Sequence, residues 1–432
     1  MRRVYTMLIW CLAPFAFALV LWRGFHERGY WLGLRQRFGF GGSVVGSSIW
    51  LHAVSLGEMS AAAPLIRALR ERHPGAPLVL TTATPAGRAR AAALFGDCAD
   101  IRYLPYDTPG SVRRFLTRIR PRVSIIMETE LWPNLLFACA RRGVPVVLAN
   151  ARLTAKSVSR YRRVKSLFGG LFHNVLIAAQ SADDAARFAE IGADAARTQV
   201  VGNVKFDIGI DAKSIEEGRR LRQEFGTERF AWVAGSTHAG EDGEVLSAHT
   251  QLLREKPQAL LLLAPRHRDR FEAVAAQLKS SGLRYGRRSE SAAGAGAGAQ
   301  PCVECQVLLV DTLGELATMY AAADVAFVGG SLVPIGGHNL LEPAALGLPV
   351  LCGPYQANNK DIAAMLLDSG AAAQVGNADE LGAALLRLCN DAAQRRRMGD
   401  AGMHLVAANR GSVAALLELI EPLLEQGPAA YR

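Results

Sequence analysis

The stretch Ser48-Ile-Trp-Leu-His-Ala-Val-Ser-Leu-Gly-Glu-Met59 holds in miniature a pattern that the rest of the chain repeats. Ile49–Val54 is predominantly apolar on both alternating faces, which suits a strand covered on both sides. Gly57 permits a tight turn, and Glu58 opens the helix-patterned segment Met59–Arg72. Working outward, further short apolar runs fall at Leu78–Ala83, Ile101–Leu104, Val123–Met127, Val144–Ala149, Val175–Ala179 and Thr198–Val201. Helix-patterned sequence lies between them, as at Ser111–Ile119 and Pro133–Arg142. The alternation restarts after Asn203–Asp211, with strand candidates at Phe230–Ala234, Ala259–Ala264, Val307–Asp311, Val325–Gly329 and Pro349–Cys352. Such strands joined by helical crossovers predict parallel, doubly wound α/β sheets. The expected architecture is α/β, with two Rossmann-like domains facing a cleft over residues 25–207 and 208–432, behind an anchor at 1–24. A length of 432 residues suits that count. The low-complexity stretch Ala292–Gln300 interrupts the second domain and reads as a surface loop.

Half of the residues are hydrophobic and 20% are charged, which excludes disordered and collagen-like chains. Net charge is 49 − 39 = +10, but it is unevenly spread. Residues 1–165 carry 25 Lys and Arg against 8 Asp and Glu, and residues 166–432 carry 24 against 31. The basic half points to an anionic partner, either nucleic acid or a phosphorylated lipid or membrane surface. Nucleic-acid binding calls for aromatic residues among the basic ones, and Tyr161-Arg162-Arg163-Val164-Lys165 is the one such place. The seven cysteines are odd in number and sit mostly in apolar runs, as expected of a reducing compartment. Cys302-Val-Glu-Cys305 has no second pair to complete a zinc site and reads as loop cysteines.

Between Arg3 and Arg23 lie 19 uncharged residues. As a helix they would extend about 28 Å, close to the hydrocarbon thickness of a bilayer. A cleaved signal peptide and a buried core helix are the alternatives, but nothing polar marks an amphipathic face and the apolar run continues past Ala16-Phe17-Ala18. Arg23, Arg28, Arg35 and Arg37 follow it, so the positive-inside rule keeps the globular part cytoplasmic.

Ligands of doubly wound sheets bind beyond the carboxyl ends of the strands, and the residues there are distinctive. Glu58 follows the first strand, where it serves as a helix-dipole partner or as a functional acid. Glu128 and Glu130 follow the fourth, two apart, so that an extended segment aims both the same way. Lys205 lies at the expected seam between the domains, with a salt bridge to Asp207 as the plainer alternative. In the second half, Gly235-Ser236-Thr237-His238 precedes a helix, an arrangement suited to a phosphate or to simple capping. Pro265-Arg266-His267 and Thr312-Leu313-Gly314-Glu315 follow other strands. Gly336-Gly337-His338-Asn339-Leu340-Leu341-Glu342 brings paired glycines to another helix start, with Glu342 able to hold a ribose. Polar groups in so many post-strand loops point to a nucleotide site. P-loop, nucleophile-elbow and dinucleotide G-x-G-x-x-G patterns are absent, as is the D-x-D of metal-dependent sugar transferases.

Taken together, the apolar N-terminus, Ser-x-Gly-Glu58, Met127-Glu-Thr-Glu-Leu-Trp-Pro-Asn134, Ala149-Asn-Ala-Arg-Leu-Thr154, Gly202-Asn-x-Lys205-Phe-Asp207, the Gly235–His238 loop, Pro265-Arg-His267 and Gly329-Gly-Ser331 with Gly336-Gly-His-Asn339 resemble the Kdo (3-deoxy-D-manno-oct-2-ulosonic acid) transferase family over almost the whole chain. The resemblance implies a GT-B architecture and an inverting, metal-independent and cofactor-free transfer of Kdo from CMP-Kdo to a lipid A precursor. It also implies an anionic membrane partner, no nucleic acid, and a site at the cytoplasmic face of the bacterial inner membrane. It makes Glu58 the catalytic base, with Glu128 and Lys205 supporting the transition state. Pro265, Arg266, Leu313, Gly314, Glu315, Asn339 and Glu342 match CMP-binding loops, beside Ser236, Thr237, His238, Gly337, Leu340 and Leu341. A GT-B enzyme using a UDP-sugar and a non-catalytic lipid-binding scaffold are the competing expectations.

Overall fold

The computed structural model describes residues 2–162, 170–292 and 305–425. Arg163–Lys165, Cys302 and the Ala292–Gln300 insertion beyond Ala292 lie outside them. Cys305, expected as a free loop thiol, is disulfide-bonded, whereas Cys11, Cys98, Cys139, Cys352 and Cys389 are free.

The chain forms two compact units, Met1–Asp207 with Asn409–Arg432, and Ile208–Ala408. The first unit holds a parallel sheet of β1 (Ser48–His52), β2 (Leu78–Thr82), β3 (Asp100–Tyr103), β4 (Pro121–Met127), β5 (Val146–Ala151), β6 (Val175–Ala179) and β7 (Thr198–Val200), in the order β3-β2-β1-β4-β5-β6-β7. The second holds β8 (Ala231–Thr237), β9 (Leu260–Pro265), β10 (Tyr285–Arg287), β11 (Val307–Leu309), β12 (Val325–Val328), β13 (Val350–Cys352) and β14 (Ala372–Gln374), in the order β10-β11-β9-β8-β12-β13-β14. Every strand anticipated from the apolar runs is present. The edge strands β10 and β14 are additional. In each sheet the order reverses beside its first strand, between β1 and β4 and between β8 and β12, and these switch points are where doubly wound sheets bind ligands.

Both sheets are buried on two faces by helices, as both-sided apolar strands require. Trp50 and Trp232 are fully buried at their centres. The helix Leu56–Arg72 turns Met59, Ala62, Leu65, Ile66 and Leu69 onto the first sheet at helical spacing.

The C-terminus departs from the expected boundary. The helix Ser412–Glu425, within the range expected to belong to the second domain, buries Leu416, Leu417, Ile420 and Leu424 in one cluster with Leu65, Ile66, Val123 and Ile125 of the first. Asp207 fixes its start, since its two carboxylate oxygens accept the N–H groups of Gly411 and Val413, each at 2.6 Å. The second unit is therefore inserted between two parts of the first.

The apolar N-terminus is a single helix, Arg2–His26, long and apolar enough to be a candidate membrane anchor. It is seated on the first unit. Tyr5 Oη donates to Asp107 at 2.8 Å and Thr6 Oγ1 donates to Asn134 at 3.0 Å. Phe17 meets Phe38 edge-on with ring centroids 5.2 Å apart, and Trp31 Nε1 donates to the Leu21 carbonyl at 3.0 Å.

Candidate active site

At the first switch point, Ser55 caps the helix Leu56–Arg72, its Oγ accepting the Glu58 N–H at 3.3 Å. The Glu58 carboxylate folds back and accepts the Val54 N–H at 2.8 Å and the Ser55 hydroxyl at 3.2 Å. This reciprocal cap satisfies orphan donors at the helix start and holds the carboxylate against the end of β1. Burial pushes Glu58 up to about 7, the Val54 N–H pulls the other way, and the charges of Glu128 and Glu130 add to the rise. The three acids therefore converge at the mouth formed by β1 and β4. Burial also raises Glu130, and the charge of Glu128 adds to the rise.

Glu128 leaves β4 in the left-handed region, φ 56°, pinned by its N–H on the Ala149 carbonyl at 2.9 Å. That conformation costs a non-glycine residue about 1–2 kcal/mol and redirects the chain at the strand end. Asn150 at the end of β5 is also left-handed, φ 56°, and fully buried. Its Oδ1 accepts the Val204 N–H at 3.1 Å, and Asn203 Oδ1 accepts the Lys205 N–H at 3.0 Å. The loop that carries Lys205 is thereby tied to the carboxyl edge of the same sheet. Asp207, the alternative partner suggested for Lys205, is the cap of the C-terminal helix.

At the second switch point, the centre is a residue that no motif marks in the sequence. Glu241 is fully buried. Its carboxylate accepts the N–H groups of His238 at 2.9 Å, Gly330 at 2.7 Å, Ser331 at 2.9 Å and Leu332 at 2.9 Å. One anion thus locks the loop after β8 to the loop after β12. The available signal was an acid three residues after His238, a capping-box spacing in a polar segment.

Ser236 is left-handed at φ 58°, and Gly329 packs so closely that an added Cβ would lie 2.6 Å from the Ser236 carbonyl oxygen. Thr237 is fully buried; its hydroxyl donates to Asp242 at 2.8 Å, and Arg270 pairs with Asp242. The rings of His238 and His338 are nearly parallel, 7° apart, and meet end to end with their Nε2 atoms 2.7 Å apart, so that one donates to the other, and His267 meets His238 edge-on at 5.3 Å. Burial, and then the charges of His238 and Arg266, push His338 down to about 4. Pro265 ends β9 in the core, while Arg266 is exposed beside this cluster with its N–H on the Thr237 carbonyl at 3.0 Å.

Around the rest of this edge, Leu313 is exposed and Gly314 takes φ 88°. Burial works to raise Glu315, but hydrogen bonds from Arg288 and Thr312 outweigh it and hold the carboxylate below its ordinary value. Gly337 donates to the Gly330 carbonyl at 2.7 Å. Asn339 is exposed; its Oδ1 accepts the Leu341 N–H at 3.0 Å and its Nδ2 donates to Glu342 at 3.1 Å. Leu340 and Leu341 have fully buried side chains, so they support this loop from beneath instead of lining it. Among the described residues, no three His, Cys, Asp or Glu side chains are grouped to hold a metal ion.

Residues 33–208 match the family model described as 3-deoxy-D-manno-octulosonic-acid transferase (kdotransferase), and residues 303–404 match the one described as glycosyl transferases group 1. The chain is 38% identical over 430 residues to the 3-deoxy-D-manno-octulosonic acid transferase of Haemophilus influenzae, covering 98% of this chain and 99% of that one. The chain belongs to the Kdo transferase family. The enzyme of the same name from Bordetella pertussis is 39% identical over 440 residues, with 98% and 99% covered. The fold recurs in the UDP-GlcNAc 2-epimerase from Neisseria meningitidis, 14% identical with a TM-score of 0.57 over 87% of this chain and 100% of that one, a likeness of fold alone. This Kdo transferase is a glycosyltransferase with the α/β fold of GT-B enzymes, as the motif resemblance implies. Family membership favours Kdo over the UDP-sugar alternative and displaces the non-catalytic scaffold.

Proposed function

We propose that this Kdo transferase moves Kdo from CMP-Kdo to the phosphorylated sugar headgroup of a lipid A precursor, with inversion and without a metal, at the cytoplasmic face of the bacterial inner membrane. The observation that carries the reading is Glu58, a half-buried carboxylate at a strand mouth, held in one orientation and raised to about 7. A base is most effective when its pKa lies near the operating pH. In the proposed step the acceptor hydroxyl oxygen attacks the anomeric carbon of Kdo while its proton passes to Glu58. The bond to phosphate breaks, and CMP leaves with the electron pair.

Lys205 and Glu128 are assigned to the transition state, Lys205 toward the Kdo carboxylate or the departing phosphate. Arg266 is assigned to the CMP phosphate, and Glu342, with Asn339 beside it, to the ribose. The loops locked by Glu241, with Gly330 at positive φ and Gly336 and Gly337 beside it, are assigned to close backbone approach to the nucleotide. The excess of basic residues in the first half fits an acceptor that carries phosphates and lies in an anionic leaflet.

The test is transfer by the detergent-solubilised full chain, supplied with fresh CMP-Kdo and the tetraacylated, bisphosphorylated lipid A precursor in EDTA, read as lipid mass. A gain of one or more Kdo units is expected, and the number of units gives the transfer count. No gain, with intact donor and an active reference transferase alongside, overturns the donor and acceptor assignment. Stabilisation against heat by UDP and not by CMP would favour the UDP-sugar reading.

A further inference from the structure

We infer that the N-terminal helix is a monotopic anchor: it lies along the first unit within the cytoplasmic leaflet, both ends on one side of the membrane, and does not cross it. The inference rests on the proposed inner-membrane location and adds the orientation. At 25 residues the helix is about 37 Å long, enough to span. Its seat, however, runs its whole length. The partly covered residues Tyr5, Ile9, Ala13, Phe17 and Val20 and the buried Gly24 fall on one stripe at helical spacing. Hydrogen bonds to Asp107 and Asn134 hold the first turns, the Phe17–Phe38 contact the middle, and Trp31 the last turn.

A spanning helix would carry this seat into the hydrocarbon or break it. Asp107 is buried and its carboxylate also accepts the N–H groups of Asn134 and Leu135, at 3.0 and 2.8 Å. Dragging it to the bilayer centre costs several kcal/mol. Undocking would cost those contacts instead. The remaining faces are apolar and exposed, with Met7, Leu8, Trp10, Phe15, Trp22 and Phe25 all open. A helix about 10 Å across fits within one leaflet, whose hydrocarbon half is about 15 Å deep.

Charge identifies the occupant of that exposed face as an anionic bilayer. Arg2 and Arg3 precede the apolar run, and Arg23, Arg28 and Arg35 follow it, so the positive-inside rule retains both ends in the cytoplasm. A groove lined by Arg3, Thr6, Met7, Trp10 and Pro109 adjoins another that shares Pro109 and is lined by Arg113, Arg141 and Arg142. Apolar surface rimmed by guanidinium groups is the chemistry that binds anionic headgroups. Tyr5 and Tyr161 pack against the same core cluster, which also contains Leu131 next to Glu130, so the helix start is rooted in the core beneath the acidic segment of the first sheet. A lipid acceptor then reaches that mouth from within its own leaflet.

The test uses the full chain in native membrane vesicles, with Arg3→Cys in a Cys11→Ser background and a membrane-impermeant maleimide. Labelling of residue 3 is expected in inside-out vesicles and protection in right-side-out ones; the reverse overturns the inference. A second variant, Thr6→Cys with Asn134→Cys, is expected to cross-link under mild oxidation in the membrane, and failure to cross-link in folded protein overturns it equally. Cleavage of the helix from the mature chain, read by mass, also overturns it. Trp10→Asp with Phe15→Asp is expected to lower binding to phosphatidylglycerol vesicles by about tenfold or more; unchanged binding, or loss of a dimer in its place, refutes the lipid occupant. Kdo transfer measured on the same vesicles separates the two readings, since correct sidedness without transfer strikes the catalytic assignment alone.

Discussion

Glu58→Gln separates two consequences of one carboxylate, and they carry opposite signs. Burial lifts the group from 4.5 to about 7. Between those values the folded protein binds the proton more tightly than the unfolded chain, so the stabilising contribution is complete at low pH and is lost as pH rises through 7. The gap of 7 − 4.5 units corresponds to about 3.4 kcal/mol at 1.36 kcal/mol per unit. Partial exposure of the group reduces this to about 2 kcal/mol. Glutamine preserves the cap: its carbonyl accepts the Val54 N–H, and its amide donates to the Ser55 hydroxyl, which can turn to accept. Thermal unfolding of the variant at pH 8.5 should therefore lie above that of the parent by about 2–8 °C, with the difference vanishing near pH 5. Kdo transfer should fall by about 10²–10⁴-fold, and the parent's rate should rise with pH through about 7. Retained transfer would refute the base. Destabilisation at pH 8.5, or equal stabilisation at both pH values, would refute the buried-acid account.

Glu241→Ala removes the acceptor of four backbone N–H groups and should cost about 3–5 kcal/mol, with Glu241→Gln milder, measured by unfolding of the full chain with and without CMP. Truncation after Ala408 leaves the second unit's sequence intact but strips Leu416, Leu417, Ile420 and Leu424 from the first core; proteolysis should then degrade the first unit selectively. His249, held neutral between the Trp232 indole and the Gln306 carbonyl, is pushed down to about 4 by burial. The unfolded chain takes up that proton first, so stability is lost as pH falls below about 6.5, by about 2 kcal/mol at pH 5; His249→Gln should flatten part of the acid limb of a Tm–pH curve.

The sheets were legible because a strand buried on both faces must be written as a run of apolar residues, as at Val123–Met127 and Leu260–Pro265. β10 and β14 were not, because each is only three residues long at a sheet edge, half-exposed throughout in Tyr285–Arg287 and passing from buried Ala372 to exposed Gln374 in the other. The amphipathic spacing of Ser412–Glu425 records that a face is buried and not which sheet buries it, so that this stretch falls by position alone into the second domain. Likewise Glu58 stood out as an acid following a strand, whereas Glu241 resembled an ordinary first-turn acid; its four partners come from residues about 90 positions away as well as from nearby. The proximity of His238, His267 and His338 has the same origin, since separate loops meet only once the sheet order is fixed.

The route of the chain also imposes a timetable. The first sheet is emitted by the ribosome well before the helix that covers part of it, with the 408 − 208 + 1 = 201 residues of the inserted unit in between. At about 5–20 residues per second that interval lasts about 10–40 s. During it the apolar patch around Leu65, Ile66, Val123 and Ile125 stays uncapped while the inserted unit is free to fold. A nascent N-terminal helix that engages the membrane early would hold the waiting sheet at a surface, away from other unfinished chains.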